Sequence, residues 1–260
     1  LTTYLDRIVA RHRELAAADA RPLGALLDQA RSQPPARGFR AALASVGHLA
    51  VIAEVKRRSP SKGDLAVGLD PATLAGQYER GGASCLSVLT DEEFFGGSVA
   101  DLQAARAACA LPVLRKDFTV GERDVLDARL MGADCLLLIV AALDRGELVD
   151  LHQLASEVGL DVLVEIHDEA ELEVALAAGA TLVGVNQRDL VSFQVDQQRA
   201  LRLAPLLPAG VVRVAESGVG GPADAAALGA AGYHAVLVGE ALVTSGEPAA
   251  AVAALIQVGD

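Results

Sequence analysis

One unit recurs along this chain and leaves few folds open to it. A helical stretch ends in a Gly-containing junction, and a short apolar run follows. The junctions read "GGASCLSVL" (81–89), "MGADCLLLIV" (131–140), "AAGATLVGV" (177–185) and "AAGYHAVLV" (230–238). Gly just past a helix end is a normal C-cap. The apolar residues after it read as strands buried on both faces. "AVIAEV", "LPVLRK", "DVLVEI" and "VVRVAE" complete a set of eight strands, starting near 49, 85, 113, 135, 162, 182, 211 and 235. Each interval holds one helix and two short loops, as in "DEAELEVALAAG" (168–179) and "ADAAALGAAG" (223–232). Strict βα alternation demands parallel strands and right-handed crossovers. Eight such units close into a (β/α)8 barrel. An open doubly wound sheet is the alternative, weakened because no G-x-G-x-x-G follows the first strand.

The length suits one domain over residues 1–260, since such barrels commonly use about 250 residues. Residues 1–47 stand outside the repeat as a helical extension. Leu5, Ile8, Val9, Arg13 and Leu15 suggest an amphipathic helix, followed by helices near 22–31 and 38–46. Periodicity leaves open whether this extension plugs the barrel bottom or covers its mouth.

Composition excludes several function classes. The longest apolar run, "CLLLIVAAL" at 135–143, is shorter than the ~20 residues of a membrane span. The charged, amphipathic N-terminus is unlike a signal peptide. A net charge of −12 argues against nucleic-acid and anionic-membrane partners. Cys85, Cys109 and Cys135 form no C-x-x-C and read as free thiols of a cytoplasmic protein. The five histidines show no metal-ligand spacing, so no metal is expected. Only three of the 22 basic side chains are Lys: Lys56, Lys62 and Lys116. Lys offers what Arg does not, a compact ammonium whose pKa can be tuned for proton transfer.

Barrel chemistry sits at the C-terminal ends of the strands, and there this sequence turns polar. Strand one ends in Glu54 and Lys56, two residues apart and so on one side of the strand. Strand three ends in Arg115, Lys116 and Asp117. Glu165 ends strand five, Asn186 and Arg188 strand six, and Glu216 and Ser217 strand seven. A structural ion-pair layer is the bland alternative, but so many polar ends on one face favour a site.

Two sub-sites are legible. "ESGV" (216–219) and "VGEAL" (238–242) end strands seven and eight, where barrels commonly bind phosphate. Gly218 and Gly239 permit close backbone approach there. Four of the five Phe, namely Phe94, Phe95, Phe118 and Phe193, follow strand ends on the mouth side. Phe95 and Phe118 are the chosen ring-binding walls. An aromatic wall beside an anion site points to a substrate with a planar ring and a phosphate.

With these residues in hand, the chain resembles the indole-3-glycerol-phosphate synthase family of tryptophan biosynthesis. The motifs "IAEVKRRSPSKG", "SVLTDEEFFGGS", "LPVLRKDF", "LVEIHDEAEL", "GVNQRDL" and "AESGV" match in order and spacing over nearly the whole chain. The resemblance implies ring closure, decarboxylation and dehydration of 1-(2-carboxyphenylamino)-1-deoxyribulose 5-phosphate, with no cofactor or metal. It implies Lys116 as general acid and Glu165 as general base or acid partner in the dehydration. Lys56 matches the residue that binds the anionic substrate, with assistance to proton transfer as a further role. Glu54, Asn186 and Glu216 match groups that orient substrate and lysines. Ser59 and Arg188 belong to the binding shell. Ser217, Gly218, Gly239 and Glu240 match the phosphate loop, Phe95 and Phe118 the ring walls. The expected assembly is a monomer or weak homo-oligomer.

Two positions depart from the family pattern. Gln187 stands where a second Asn is common, and its side chain is expected to point away from Asn186. Glu240 replaces a small residue, so its carboxylate must turn outward. Lys62 is read as a loop charge without a role. The nearest rival is another phosphosugar barrel, such as phosphoribosylanthranilate isomerase, which would want a carboxylate/thiol pair at other strand ends. A non-catalytic barrel that binds a phosphorylated metabolite would need no Lys116 or Glu165.

Overall fold

A computed structural model describes residues 3–60 and 62–256; Ser61, within the first quoted motif, lies outside them. Eight parallel strands close on themselves: β1 (Ala50–Val55), β2 (Cys85–Leu89), β3 (Val113–Lys116), β4 (Cys135–Ile139), β5 (Asp161–Ile166), β6 (Leu182–Asn186), β7 (Val212–Glu216) and β8 (Ala235–Val238). The order around the barrel is β1-β8-β7-β6-β5-β4-β3-β2, a closed ring rather than an open sheet. Every strand begins within a residue of its sequence-derived start. A two-stranded hairpin, Arg58–Ser59 with Gly63–Asp64, follows β1.

Alternation along each strand sorts the apolar residues into two cores. Val51, Ala53 and Val55 point outward and pack beneath the surrounding helices, with Leu86, Val88, Leu136 and Leu138 in the same layer. Ala50 and Ile52 point inward, joined by Cys85, Leu114, Cys135, Leu137, Leu163 and Leu237 in the barrel interior. The inward set of β1 continues upward into Glu54, whose side chain is buried. All three cysteines are free, as the sequence suggested.

The extension contributes α1 (Tyr4–Ala18), α2 (Leu23–Arg31) and α3 (Phe39–Ala44). The question of mouth or bottom has two answers, because α1 and α3 go to opposite ends. Phe39 and Leu43 of α3 are fully buried against the N-terminal halves of the strands, and the Cys85 thiol donates to the Phe39 carbonyl at 3.7 Å. Leu5 and Ile8 of α1 instead line the cavity at the other end. Leu15, counted in the apolar stripe of α1, is half exposed; the buried stripe ends at Ile8 and Val9. The remaining helices alternate with the strands: α4 (Pro71–Arg80), α5 (Val99–Ala108), α6 (Glu122–Leu130), α7 (Arg145–Glu157), α8 (Glu169–Ala177), α9 (Arg199–Leu203), α10 (Pro222–Ala230), α11 (Glu240–Val243) and α12 (Pro248–Ile256). No helix among the described residues is long and apolar enough to cross a membrane.

Candidate active site

A cavity of about 700 Å³ opens at the C-terminal ends of the strands. All of Glu54, Lys56, Ser59, Phe95, Lys116, Phe118, Glu165, Asn186, Arg188, Glu216, Ser217, Gly218, Gly239 and Glu240 line it. Arg115 does not, although it ends the same strand as Lys116. Alternation turns it out of the barrel, where it donates to the Asp124 carbonyl at 3.0 Å and to Asp117 at 3.0 Å.

The floor is a charged layer built from four strands. Lys56 Nζ lies 2.6 Å from Glu54 Oε1, so the two polar residues that end β1 pair with each other. Ser87 Oγ donates to the other Glu54 oxygen at 3.3 Å. Lys116 reaches inward from β3. Its Nζ lies 3.2 Å from Glu165 Oε2 on β5 and 3.6 Å from Glu216 Oε2 on β7. β3 and β7 stand opposite each other in the ring, so one ammonium bridges the barrel. Asn186 Nδ2 donates to Glu165 Oε1 at 3.0 Å, and the Asn186 carbonyl oxygen accepts the Arg188 backbone N–H at 3.0 Å.

Three buried carboxylates share two ammonium groups, and the protons distribute unevenly. Burial pushes Glu216 up, the nearby Glu165 charge adds to this, and Lys116 only partly offsets it; the result is about 8. Burial also opposes ionisation of Glu165, but the charges of Lys116 and His167 and the Asn186 hydrogen bond override it and hold Glu165 below its ordinary value. For Lys116, burial favours the neutral amine, yet Glu165, Glu216 and Glu54 together raise its pKa and keep it an ammonium. At neutral pH the layer therefore holds one ionised carboxylate and one protonated carboxylic acid on the same lysine.

Two glycines make room for this layer. A Cβ on Gly184 would fall 1.9 Å from Glu216 Oε1. One on Gly239 would fall 2.4 Å from Glu54 Oε1 and 3.1 Å from Lys56 Nζ. Gly239 was expected to serve phosphate approach; in the structure it also seats the β1 ion pair. Gly184 was not foreseen. Its signal was present, since Gly inside an otherwise apolar strand often marks a close approach.

The anion end is formed by the loops after β7 and β8. Ser217 and Gly218 have φ of 64° and 73°, a left-handed pair unusual for a serine. Val195 packs so closely that a Cβ on Gly218 would lie 2.6 Å from it. Gln187 turns away from Asn186, as expected, and donates to the Ser217 carbonyl at 2.8 Å. Glu240 also turns outward, and its carboxylate meets Lys62 Nζ at 3.6 Å. Lys62 thus bridges the loop after β1 to this end, and its backbone N–H donates to Ser59 Oγ at 3.2 Å.

The aromatic wall faces the anion end. Phe95 and Phe118 rings are 6.3 Å apart. Phe193, which sequence reasoning set aside, lines the cavity too, and Tyr4 of α1 packs edge-on against both Phe193 and Phe94. The helix is fastened by polar contacts. His12 Nε2 lies 3.1 Å from Asp91 Oδ2 and 3.7 Å from Asp117 Oδ1. Arg13 pairs with both oxygens of Glu147, at 2.7 and 2.9 Å. Asp91 accepts the backbone N–H groups of Phe94 and Phe95 at 2.6 and 3.0 Å, so one carboxylate sets both the lid and the ring wall. Tyr4 was not foreseen as a site residue, and the stripe of Leu5 and Ile8 left cover and plug open, because nothing local says that α1 returns to the mouth.

Comparison with known proteins gives the family of the chain. The profile of the family described as "Indole-3-glycerol phosphate synthase" matches residues 5–255. A Nocardioides sp. protein of that name is 53% identical over 256 residues, covering 96% of each chain. A Streptomyces griseus subsp. griseus protein of the same name is 52% identical over 259 residues, covering 99% of this chain and 96% of its own. One from Chlorobium luteolum is 52% identical over 248 residues, covering 94% and 95%. Among solved structures, a thiamine phosphate pyrophosphorylase from Pyrococcus furiosus is similar in fold alone, with a TM-score of 0.61 at 13% identity over 81% of this chain and 95% of that one.

Proposed function

The chain belongs to the indole-3-glycerol phosphate synthase family, and we propose that its barrel mouth carries out the family's carboxy-lyase reaction with the residues described above. One observation carries the assignment of roles. Lys116 Nζ lies 3.2 Å from Glu165 and 3.6 Å from Glu216, on the floor of a cavity with an aromatic wall at one end and a phosphate-loop backbone at the other.

The anilino ring of the substrate lies along Phe95 and Phe118, and its phosphate lies in the loops at Ser217, Gly218 and Gly239. Lys56 answers the substrate's negative charge. Ring closure places charge on the former carbonyl oxygen. Lys116 stabilises that charge and donates a proton to it. Its raised pKa does not forbid the transfer, because an alkoxide is the stronger base. Carbon dioxide then leaves, its bonding pair restores the benzene ring, and loss of water completes the aromatic five-membered ring of the indole. Glu165 takes the proton of that step. Glu216, which carries a proton below about pH 8, gives that proton to the departing hydroxyl, so that it leaves as water. Two carboxyl groups with opposed protonation divide base and acid work between them. Glu54 holds Lys56 in place.

Residues 1–47 act with the barrel as one domain, since they supply both a wall of the site and the seal of the opposite end. The setting is the cytoplasm, and the active form is a monomer or weak homo-oligomer.

The test is direct. Supplying 1-(2-carboxyphenylamino)-1-deoxyribulose 5-phosphate should produce the absorbance of an indole. Glu165→Gln preserves size and removes basicity, so turnover should fall about 10²-fold or more with little change in melting temperature. Near-normal turnover in that variant would remove Glu165 from the chemistry.

A further inference from the structure

Beside Glu165 stands a histidine that the reaction scheme leaves unused. His167 follows the carboxylate by two residues, in the bend between β5 and α8, and is not among the residues lining the cavity. Its position is tightly specified. Glu171 accepts the His167 backbone N–H at 2.7 Å, and the same oxygen lies 3.0 Å from the ring Nδ1. The other ring nitrogen, Nε2, is buried, has no hydrogen-bond partner among the described residues, and lies 3.7 Å from Glu165 Oε1.

A buried imidazole nitrogen left without a partner is costly, by about 1–3 kcal/mol. The ring could escape that cost by turning, but Glu171 holds it. At 3.7 Å the contact with Glu165 is longer than a hydrogen bond and works through charge, with room to tighten when substrate closes the site. The groups facing the ring are Glu171 on α8, Glu165 on β5 and Arg199 on α9. Burial and Arg199 disfavour the imidazolium; the Glu171 hydrogen bond and the two carboxylates favour it and prevail. Glu165 in turn has Lys116 on one oxygen, and Asn186 and His167 on the other.

We propose that His167 is a positioning residue for Glu165: Glu171 fixes the ring, and the ring turns its Nε2 proton toward Glu165 Oε1, holding the carboxylate charged and in one orientation for proton abstraction. The proposal rests on the reading of Glu165 as the base. It separates two roles that sequence proximity blurs, since His167 touches no substrate and acts only through its neighbour.

The experiment compares pH profiles of kcat/KM for wild type, His167→Asn and Glu171→Gln, with Glu165→Gln alongside. Removing a positive neighbour raises the pKa of the base, so the acidic limb should move up by about one pH unit in His167→Asn, which is about a tenfold loss below both limbs. The loss should shrink toward higher pH, and KM should stay within about twofold. Glu171→Gln leaves the ring in place and should shift the limb the same way by less. An NMR titration of the Glu165 carboxyl carbon, assigned by its loss in Glu165→Gln, should move up by the same amount without any substrate. A loss equal at every pH, or a Glu165 titration unmoved in both variants, overturns the proposal. An inactive Glu165→Gln beside an unmoved limb in His167→Asn overturns this inference and leaves the base intact. Normal turnover in Glu165→Gln overturns the base itself.

Discussion

α1 and α3 come from the same short extension and end at opposite poles of the barrel, and they are held there by different forces. α3 inserts Phe39 and Leu43 into the interior, both fully buried among Ala50, Cys85, Leu182 and Val212. α1 buries only Leu5 and Ile8 and is fastened by His12 to Asp91, Arg13 to Glu147 and Arg11 to Glu93. A plug fixed by apolar burial leaves only with the fold. A cover fixed by partly solvated charges can leave without it. The bottom of the barrel is therefore core, and the mouth is a site that can be uncovered.

The sharpest way to break this comparison is to weaken the plug. Phe39→Ala removes a ring that no solvent touches, and such deletions cost about 3–5 kcal/mol. Denaturant unfolding should show that loss, while turnover of the folded fraction stays near wild type. A large loss of turnover with unchanged stability would mean that the bottom communicates with the mouth after all.

Next in size is a change at the charged floor. Lys116→Arg keeps a positive charge between Glu165 and Glu216, but a guanidinium keeps its proton at any ordinary pH, with a pKa above ~12. Turnover should fall about 10²-fold with measurable substrate binding and a melting temperature within a few degrees of wild type. Substantial activity would leave electrostatic stabilisation as the whole role of Lys116. The floor would then resemble the plug in being fixed structure rather than chemistry.

Removal of α1 comes third. Deleting residues 1–18 takes away the cover and leaves the plug. The barrel should fold, and KM should rise about tenfold as Leu5, Ile8 and the Tyr4 contacts with Phe94 and Phe193 are lost. Deleting residues 1–44 is a different experiment, because it also removes Phe39 and Leu43 and should abolish cooperative folding. If the shorter deletion also fails to fold, the distinction between cover and plug collapses.

These residues also show what a sequence alone can carry. Eight strands were legible because each is a buried apolar run after a Gly junction, and parallel closure follows from βα alternation. The inward aim of Glu54 and Lys56 was legible because alternation is a local property. The partners of Lys116 were not. That Lys116 crosses to Glu165 and Glu216 depends on three strands meeting only once the ring closes. Phe39 was silent because one Phe in "GFRAALA" carries no sign of which pole it enters. The apolar stripe of α1 announced burial but not its destination, so nothing marked His12 as a partner of Asp91. Gln187 could be aimed from its register beside Asn186, and Glu240 from its charge, which a phosphate would repel. Lys62 was seen as a loop charge, and its pairing with Glu240 lay in tertiary structure.

The smallest effect belongs to the fastening of α1 and carries its own sign. Burial would lower the His12 pKa, but the Asp91 hydrogen bond and the charges of Asp117, Asp91 and Asp124 raise it above 6.5. On the far side of Asp117, Arg115 donates to the other oxygen of the same carboxylate. A group whose pKa is higher when docked than when free stabilises docking fully below the free value, and the contribution fades as pH rises through the docked value. α1 should therefore be held most firmly below about pH 6.5 and loosen on the alkaline side of the docked pKa. Hydrogen exchange of α1 amides, corrected for the intrinsic pH dependence, should show protection falling by about threefold to tenfold across that range, on the scale of one hydrogen bond to a charged group. His12→Asn should give weaker and nearly pH-independent protection of α1, with α3 amides unchanged in both proteins. Protection of α1 that stays constant with pH in the wild type would place its hold in Leu5, Ile8 and the Arg13 pair, and would make the cover more like the plug than its charges suggest.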